Sequence, residues 1–416
     1  MSELLSVAEA RQKLLESFGL LNLEYISLRN AVNRVLAEAV TSQFDLPPFA
    51  NSSMDGFAVQ FSDVSSAKPE TPITLKVVGD VPAGNIPEMI VDTGKTVRIM
   101  TGAPIPKGAD TVVPVEDTDF NYRQSGTPTP NYVSVYRATE YGENLRPAGQ
   151  DVKKGEILLD RGSRLRPQDI GLCAMVGLDQ VPVYRKPKIA VLSTGDELLP
   201  LGSPLTAGKI YDSNTSTLTS LIESYGGRAL DLGIIPDRED AVEQSLEKAV
   251  SERADFILSS AGVSVGAYDF VKTVVEKHGN LRFWRVNMRP GKPLAFGDYQ
   301  GIPFIGLPGN PVSAFVGFEV FVRPAINKSL GLPILERTIR KVKLLEAITS
   351  DGRESYLRAI VFNKDGDWFA RLTGHQGSGN LRSLVQANAL LLVPSGVKSL
   401  PIGAEVVAWM LDNNLV

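Results

Sequence analysis

The chain has 416 residues, 43% of them apolar, enough to fill ordinary cores; at roughly 150 residues per domain, two to four domains are expected. Its 43 basic and 47 acidic residues are interspersed and leave a net charge of −4, which argues against a general nucleic-acid or anionic-membrane binder. A single cysteine, Cys173, excludes an intramolecular disulfide and fits a reducing, cytoplasmic setting.

Glu3, Glu9 and Glu16 interrupt any signal-peptide pattern at the N-terminus. Ser6 and Glu9 instead form a capping box ahead of Leu14, Leu15 and Phe18, which predicts a helix. Ala31, Val32, Val35 and Leu36 extend the helical pattern to about residue 44, where Pro47-Pro48 breaks it. Between 46 and 141 short β-like runs take over. They are Ile73 to Val77, Val97 to Ile99, Val112 to Val115 and Tyr132 to Val135, set among Gly and Pro, and they predict a small β domain. Helical texture returns over 142–178, so the β unit is expected to be inserted into a helical domain made of 1–45 and 142–178. Cys173 lies in the apolar stretch Ile170 to Val176 and reads as a buried structural thiol. No apolar run approaches the roughly 20 residues of a membrane span.

Residues 179–329 alternate strand and helix, which predicts a doubly wound, mainly parallel sheet with helices on both faces. Ile189 to Leu192, Leu230 to Ile235, Phe256 to Leu258 and Phe304-Ile305 read as buried strands. The intervening helices run from Asn214 to Tyr225, through Val242, Leu246 and Val250, and from Phe270 to His278; Pro311 opens another. Residues 330–416 revert to strands around Val342, Leu357, Trp368, Leu390 and Val406, with a hairpin at Lys364-Asp365-Gly366-Asp367, and predict a small β-barrel or sandwich.

Five loops in the α/β segment carry glycine, acid or proline. They are Ser193 to Glu197, Ile235-Pro236-Asp237, Ser259 to Gly266, Arg289 to Pro293 and Gly306 to Pro311. In an open α/β sheet the loops leaving the carboxyl ends of parallel strands meet in one crevice. Gly262, Gly266, Gly306 and Gly309 let backbone amides approach an anion, and the Pro311 helix adds the positive end of its dipole. Glu197, Asp237 and Asp269 sit on these loops; Asp237 and Asp269 serve equally as helix caps. Carboxylates facing a phosphate site call for a hard cation between them, and two histidines and one cysteine cannot build a conventional zinc site. Magnesium is the expected cation. Arg285, Arg289 and Lys292 suit an oxyanion or, as readily, a solvated charged loop. There is no Walker A pattern and no nucleophile elbow. His375, in a glycine-rich polar loop, either edges a cleft or marks a plain turn. The Asn51 to Ala58 segment combines an acid and a glycine at a domain boundary, where loops serve sites.

In order and spacing, these segments resemble the molybdopterin molybdenumtransferases (the MoeA family, which includes the gephyrin E domain). The resemblance covers nearly the whole chain. It rests on Asn51–Ala58, Thr101 to Pro104, Gly142-Glu143-Asn144, Thr194–Leu198, Tyr211 to Asn214, Gly262–Gly266, Gly291-Lys292-Pro293, Gly306–Ser313 and Gly374–Gly379. It implies four domains, a homodimer with its cleft between domains and subunits, and insertion of molybdenum from molybdate into adenylylated molybdopterin with release of AMP, assisted by a divalent cation. A molybdopterin adenylyltransferase would be the upstream donor. The positions it carries over as catalytic are Asp55, Asp151, Glu197, Asp237 and Asp269, with Glu197, Asp237 and Asp269 holding the metal. As substrate-binding it carries over Thr101, Gly262, Ser264, Gly266, Arg285, Arg289, Lys292, Pro308, Gly309, Asn310, Pro311 and Ser378. Asp55 is implied to reach the cleft of the other subunit. Two departures stand out: Ala261 occupies a position usually held by glycine, and Gln150 precedes Asp151 where an acid is frequent. The rival readings are the adenylyltransferase itself, disfavoured by the flanking domains with Asp55 and Ser378, and a gephyrin-like scaffold, disfavoured because the cleft acids are all present and the chain begins at the capped helix.

Overall fold

The computed structural model describes residues 4–120, 127–261, 270–334 and 337–411, and of Phe283 and Trp284 the backbone only. The chain divides into two compact units, one of Met1–Glu38, Arg161–Arg166 and Gln180–Val416, the other of Ala39–Asp160 and Pro167–Asp179.

The larger unit is built on a seven-stranded sheet in the order Leu4–Leu5, Gly279–Val286, Pro293–Tyr299, Ile302–Leu307, Phe256–Ser260, Lys188–Thr194 and Arg228–Ile235. Only Pro293–Tyr299 runs antiparallel to its neighbours, so the sheet is mainly parallel. Strand alternation divides the core. Ile189 and Val191 pack on one face with Leu14, Leu218, Ile222 and Val316. Ala190 and Leu192 pack on the other with Val242, Leu246 and Val274. All of these are fully buried, and each large apolar side chain so placed contributes about 1.5–3 kcal/mol. The continuous apolar run of the central strands follows from burial on both faces.

The helices start and stop where local chemistry directs. The capping box holds, with Ser6 N–H donating to Glu9 at 2.9 Å and Glu9 N–H donating to Ser6 Oγ at 3.2 Å. Asp212 caps helix Ser213–Ser224 by accepting from the N–H groups of Asn214 and Thr215, each at 3.0 Å. The run opened by Pro311 is α-helical over Pro311–Gly317, widens to a π turn over Phe318–Val322 and resumes over Arg323–Ser329. Pro324, which has no N–H to give the preceding turn, lies just after the π segment.

The C-terminal strands close into a barrel. Glu354–Lys364, Asp367–Leu372, Ile339–Leu344, Glu405–Met410 and Ala389–Val393 pair in that order, and the last pairs back with the first. The hairpin expected at Asp365-Gly366 is present, with both residues at positive φ.

The smaller unit holds a five-stranded sheet in the order Thr111–Pro114, Gly56–Val59, Lys95–Ile99, Ile73–Val81 and Tyr132–Val135, around Phe57, Val59, Leu75, Val113 and Val133. Gly56 is fixed by space, because a Cβ there would stand 2.1 Å from the Val113 carbonyl oxygen.

The helical texture expected over 1–44 and 142–178 is corrected. Among the described residues of these stretches, α-helix is confined to Val7–Leu15 and Pro167–Met175. Leu23–Ser27 is a strand paired with Gln180–Tyr184, and Val40–Thr41 pairs with Ile157–Leu159. Both partners lie more than a hundred residues away, so pairing overrides a local pattern that favours helix. No helix among the described residues is long and apolar enough to cross a membrane.

Candidate active site

Parallel strands bring their carboxyl ends to one edge of the large sheet. Thr194 stands opposite Ile235, Ser193 opposite Ser260, and Ser260 opposite Leu307. Gly279–Val286 ends at the same edge, with Arg285 opposite Pro293. The loops after these strands therefore emerge side by side.

The first two loops are tied to each other. Asp196 N–H donates to the Asp237 carboxylate and Asp237 N–H to the Asp196 carboxylate, each at 3.3 Å. Lys209 donates to the Asp196 carbonyl. At Gly195, φ is +146°, and a Cβ would lie 2.5 Å from a Glu197 carboxylate oxygen. Glycine thus lets Glu197 fold back over the loop. Burial raises the Asp237 pKa, and the charges of Asp196 and Glu197 raise it further, against the Asp196 backbone N–H that favours the anion. The cap expected from Asp237 is not made. Helix Glu239–Ser251 has Arg238 at its N-cap with no side-chain bond, because the Asp237 carboxylate is turned to the neighbouring loop. Asp196, which the sequence reading passed over beside Glu197, belongs to this carboxylate set.

Gly262, Ser264, Gly266 and Asp269 lie outside the described residues. Without Asp269 the expected metal set is incomplete, and among the described residues no group of three His, Cys, Asp or Glu side chains gathers to hold a metal. Ala261, at the head of that loop, has φ +103°. The backbone thus keeps a glycine conformation and the alanine carries the strain. Its N–H donates to the Leu307 carbonyl at 3.1 Å, and Ser259 Oγ donates to its carbonyl at 2.9 Å.

Asn214 joins the third and fifth loops. Its Nδ2 donates to Ser260 Oγ at 2.6 Å and to the Gly309 carbonyl at 2.7 Å, while its buried Oδ1 accepts no hydrogen bond. It was not among the expected site residues; its place just after the Asp212 cap, at the site edge of the helix, was the available signal. Pro308 is buried, Gly309 and Asn310 are exposed, and Asn310 forms the N-cap before Pro311 without a side-chain bond.

The basic residues follow. Arg285 is exposed at the end of a strand rather than on a loop, and Lys292 is exposed. Arg289 lies in the short strand Met288–Arg289, which pairs with barrel strand Glu354–Lys364. On that barrel strand is Arg358, only 1% exposed. Its guanidinium donates to the Gly377 carbonyl at 3.0 Å and to Ser383 Oγ at 3.1 Å. Burial, with the nearby Arg289 charge, lowers its pKa to about 10. Ser378 is half-buried, and its carbonyl accepts from Val312 N–H at 3.0 Å, so the His375-containing loop docks on the start of the Pro311 helix.

In the smaller unit three of the singled-out segments assemble. Asn51–Ser52 pairs with Leu145–Arg146, and Asn51 bridges Pro104. Asp55 Oδ1 accepts from both the N–H and the Oγ1 of Thr101, at 2.8 Å each. Asp151 pairs with Arg146 at 2.8 Å, and its N–H donates to the Leu46 carbonyl at 2.9 Å.

A mainly parallel sheet with glycine-bearing loops and acids at its carboxyl edge, together with a closed barrel, defines a multidomain α/β protein with a candidate anion site at that edge. The family comparisons agree region by region. Residues 5–177 match the MoeA N-terminal region (domains I and II), 190–328 a probable molybdopterin binding domain, and 341–411 the MoeA C-terminal region (domain IV). The chain is 38% identical to the molybdopterin molybdenumtransferase of Haemophilus influenzae, across 94% of each chain. It is 35% identical to that of Bacillus subtilis, across 92% of this chain and 88% of the relative. The crystal structure of the molybdopterin biosynthesis moea protein from Pyrococcus horikosii superposes with a TM-score of 0.83 at 30% identity, covering 99% of this chain and all of that one. The chain belongs to the molybdopterin molybdenumtransferase family.

Proposed function

We propose that this enzyme inserts molybdenum from molybdate into adenylylated molybdopterin and releases AMP, a step of molybdenum-cofactor biosynthesis. The observation that carries the reading is the Asp196–Asp237 pairing, with Glu197 beside it, on the loop edge that also bears Arg289 and Lys292. Such an edge suits a phosphoanhydride: the cations and glycine-loop amides bind phosphate oxygens, and the acids stand ready for a hard cation. Asp196, Glu197 and Asp237 have the oxygen-only chemistry that suits magnesium but do not by themselves gather into a metal site, and Asp269 is the further ligand the reading expects. When bound, the ion neutralises developing charge on the phosphates.

The chain's own residues orient the substrate. Lys292, Arg289 and Arg285 attract the phosphates, and Asn214 ties Gly309 to Ser260 on the same loop edge. Pro308 and Pro311 limit backbone motion of the last loop around Asn310. Water attacks the adenylyl phosphorus, the bond to the bridging oxygen breaks, and that oxygen leaves with the molybdopterin phosphate as AMP forms, so no covalent protein intermediate is needed. The carried-over roles of Asp55, Thr101, Asp151 and Ser378 belong to the same reading. So do a cytoplasmic homodimer supplied by a molybdopterin adenylyltransferase and a four-domain division near residues 45, 141, 178 and 329.

The test is a mass-spectrometric assay of the purified protein with adenylylated molybdopterin, molybdate and magnesium. AMP and molybdenum-loaded cofactor should appear together. Return of the adenylylated compound unchanged, from a folded protein, would reject the reading.

A further inference from the structure

At the other end of helix Ser213–Ser224 from Asn214, about 15 Å away at 1.5 Å per residue, lies a cavity of 550 Å³. Its lining includes Arg164, Arg323, Arg337, Tyr225, Asn327 and Asn33, and no acidic residue is among its described lining. Behind it sits a single carboxylate, Glu319, on the π turn. Glu319 pairs with Arg323 Nε at 3.0 Å and with Arg337 Nη2 at 2.5 Å, and Tyr225 Oη donates to it at 3.0 Å. The side chains of Glu319 and Arg323 are 1% exposed and that of Arg337 is 8% exposed. Arg337 Nε is buried without a hydrogen-bond partner. The Arg323 and Arg337 guanidinia also lie over the Tyr225 ring, 5.8 and 5.6 Å from its centroid. Arg164, half-buried, donates a long 3.3 Å hydrogen bond to the Asn33 carbonyl and no other side-chain bond among the described residues.

Three guanidinium groups line the cavity while a single carboxylate, Glu319, pairs with two of them, which leaves positive charge where an arriving anion is held more strongly than in water. Guanidinium forks match tetrahedral oxyanions, and the lining Asn33 and Asn327 supply neutral donors, while the Tyr225 O–H is given to Glu319. The volume falls within the range of small-molecule sites, roughly 300–1,000 Å³. We infer that this cavity is a second anion site, separate from the loop edge, that binds phosphate either free or as the monoester of a small molecule.

The test is calorimetric titration of the full-length protein with inorganic phosphate and, separately, with AMP. It uses wild type, Arg164→Gln and Arg289→Gln, and thermal melts with and without phosphate run alongside. The expected result is saturable phosphate binding whose Kd rises at least tenfold in Arg164→Gln and stays within twofold in Arg289→Gln. Phosphate should raise the melting temperature of wild type and of Arg289→Gln clearly more than that of Arg164→Gln. If AMP displaces phosphate from the Arg164-dependent site, a monoester is the natural occupant; if it does not, the free anion is. Binding lost only in Arg289→Gln, binding untouched by Arg164→Gln, or no binding at all would overturn the proposal.

Discussion

Asp237 shows how a single side chain separates function from stability. Its carboxyl pKa is raised, first by burial and then by the charges of Asp196 and Glu197. For an acid shifted upward, the folded state binds more protons than the unfolded one between the ordinary value near 3.8 and the raised value. Stability is therefore lost as pH climbs through that window, and the penalty persists at neutral pH. Asp237→Asn keeps the acceptor for Asp196 N–H but removes the charge. It should raise the melting temperature at pH 7, with the gain vanishing below about pH 4, and it should abolish AMP release. A lower melting temperature at pH 7 would mean the residue is structural. Ala261 makes the complementary case. At φ +103° a methyl group costs what glycine does not, so Ala261→Gly should stabilise the protein by about 1 kcal/mol in urea unfolding. Unchanged or reduced stability would show the strain is absent. The Ala261 conflict was legible in the sequence, where a methyl replaces a glycine hydrogen, but the Asp237 effect was not. The sequence reading identified Asp237 and Ala261 as notable, but whether a carboxylate caps its own helix or turns to the next loop depends on a neighbour 41 residues away.

At the level of elements, the short segment carrying Asp55 depends on close approach of two strands. Gly56 has no room for a Cβ against the Val113 carbonyl. Gly56→Ala should cost about 3 kcal/mol and displace Asp55 from Thr101, read by urea unfolding together with loss of turnover. Asp212 acts similarly at a helix start. Asp212→Ala removes the acceptor of two N–H groups and should cost about 1–2 kcal/mol, loosening Asn214 from Ser260 and Gly309. Equal stability of wild type and Asp212→Ala would remove the cap from the account. The βαβ elements were legible because strand and helix alternate locally and each loop announces itself with Gly, Pro or Asp. The Leu23–Ser27 strand was not, since its partner Gln180–Tyr184 lies in a distant part of the chain. Arg358 escaped notice for a related reason. At alternate positions of a half-buried strand an arginine reads as surface, and only the fold reveals that it is enclosed by the 375–383 loop.

On the scale of the molecule, buried charge and chain closure set the limits. Glu319 stands between two buried arginines, and Arg337 carries the connection onward to the carbonyls of Met410 and Leu411. Glu319→Ala would strand both cations and should cost about 3–5 kcal/mol, measured as a lowered urea midpoint. A change below 1 kcal/mol would show that solvent already screens them. The barrel has a different kind of consequence. Its first strand, Ile339–Leu344, pairs with Glu405–Met410, about 70 residues later. On the ribosome the ring therefore stays open for on the order of 3–15 s after the first strand emerges. During that interval Ile339–Leu344 presents an unmatched edge to other nascent chains. A truncation just before Glu405 would leave unmatched edges on both Ile339–Leu344 and Ala389–Val393. Such a product would be expected in the insoluble fraction, whereas the closed ring leaves neither of those edges open.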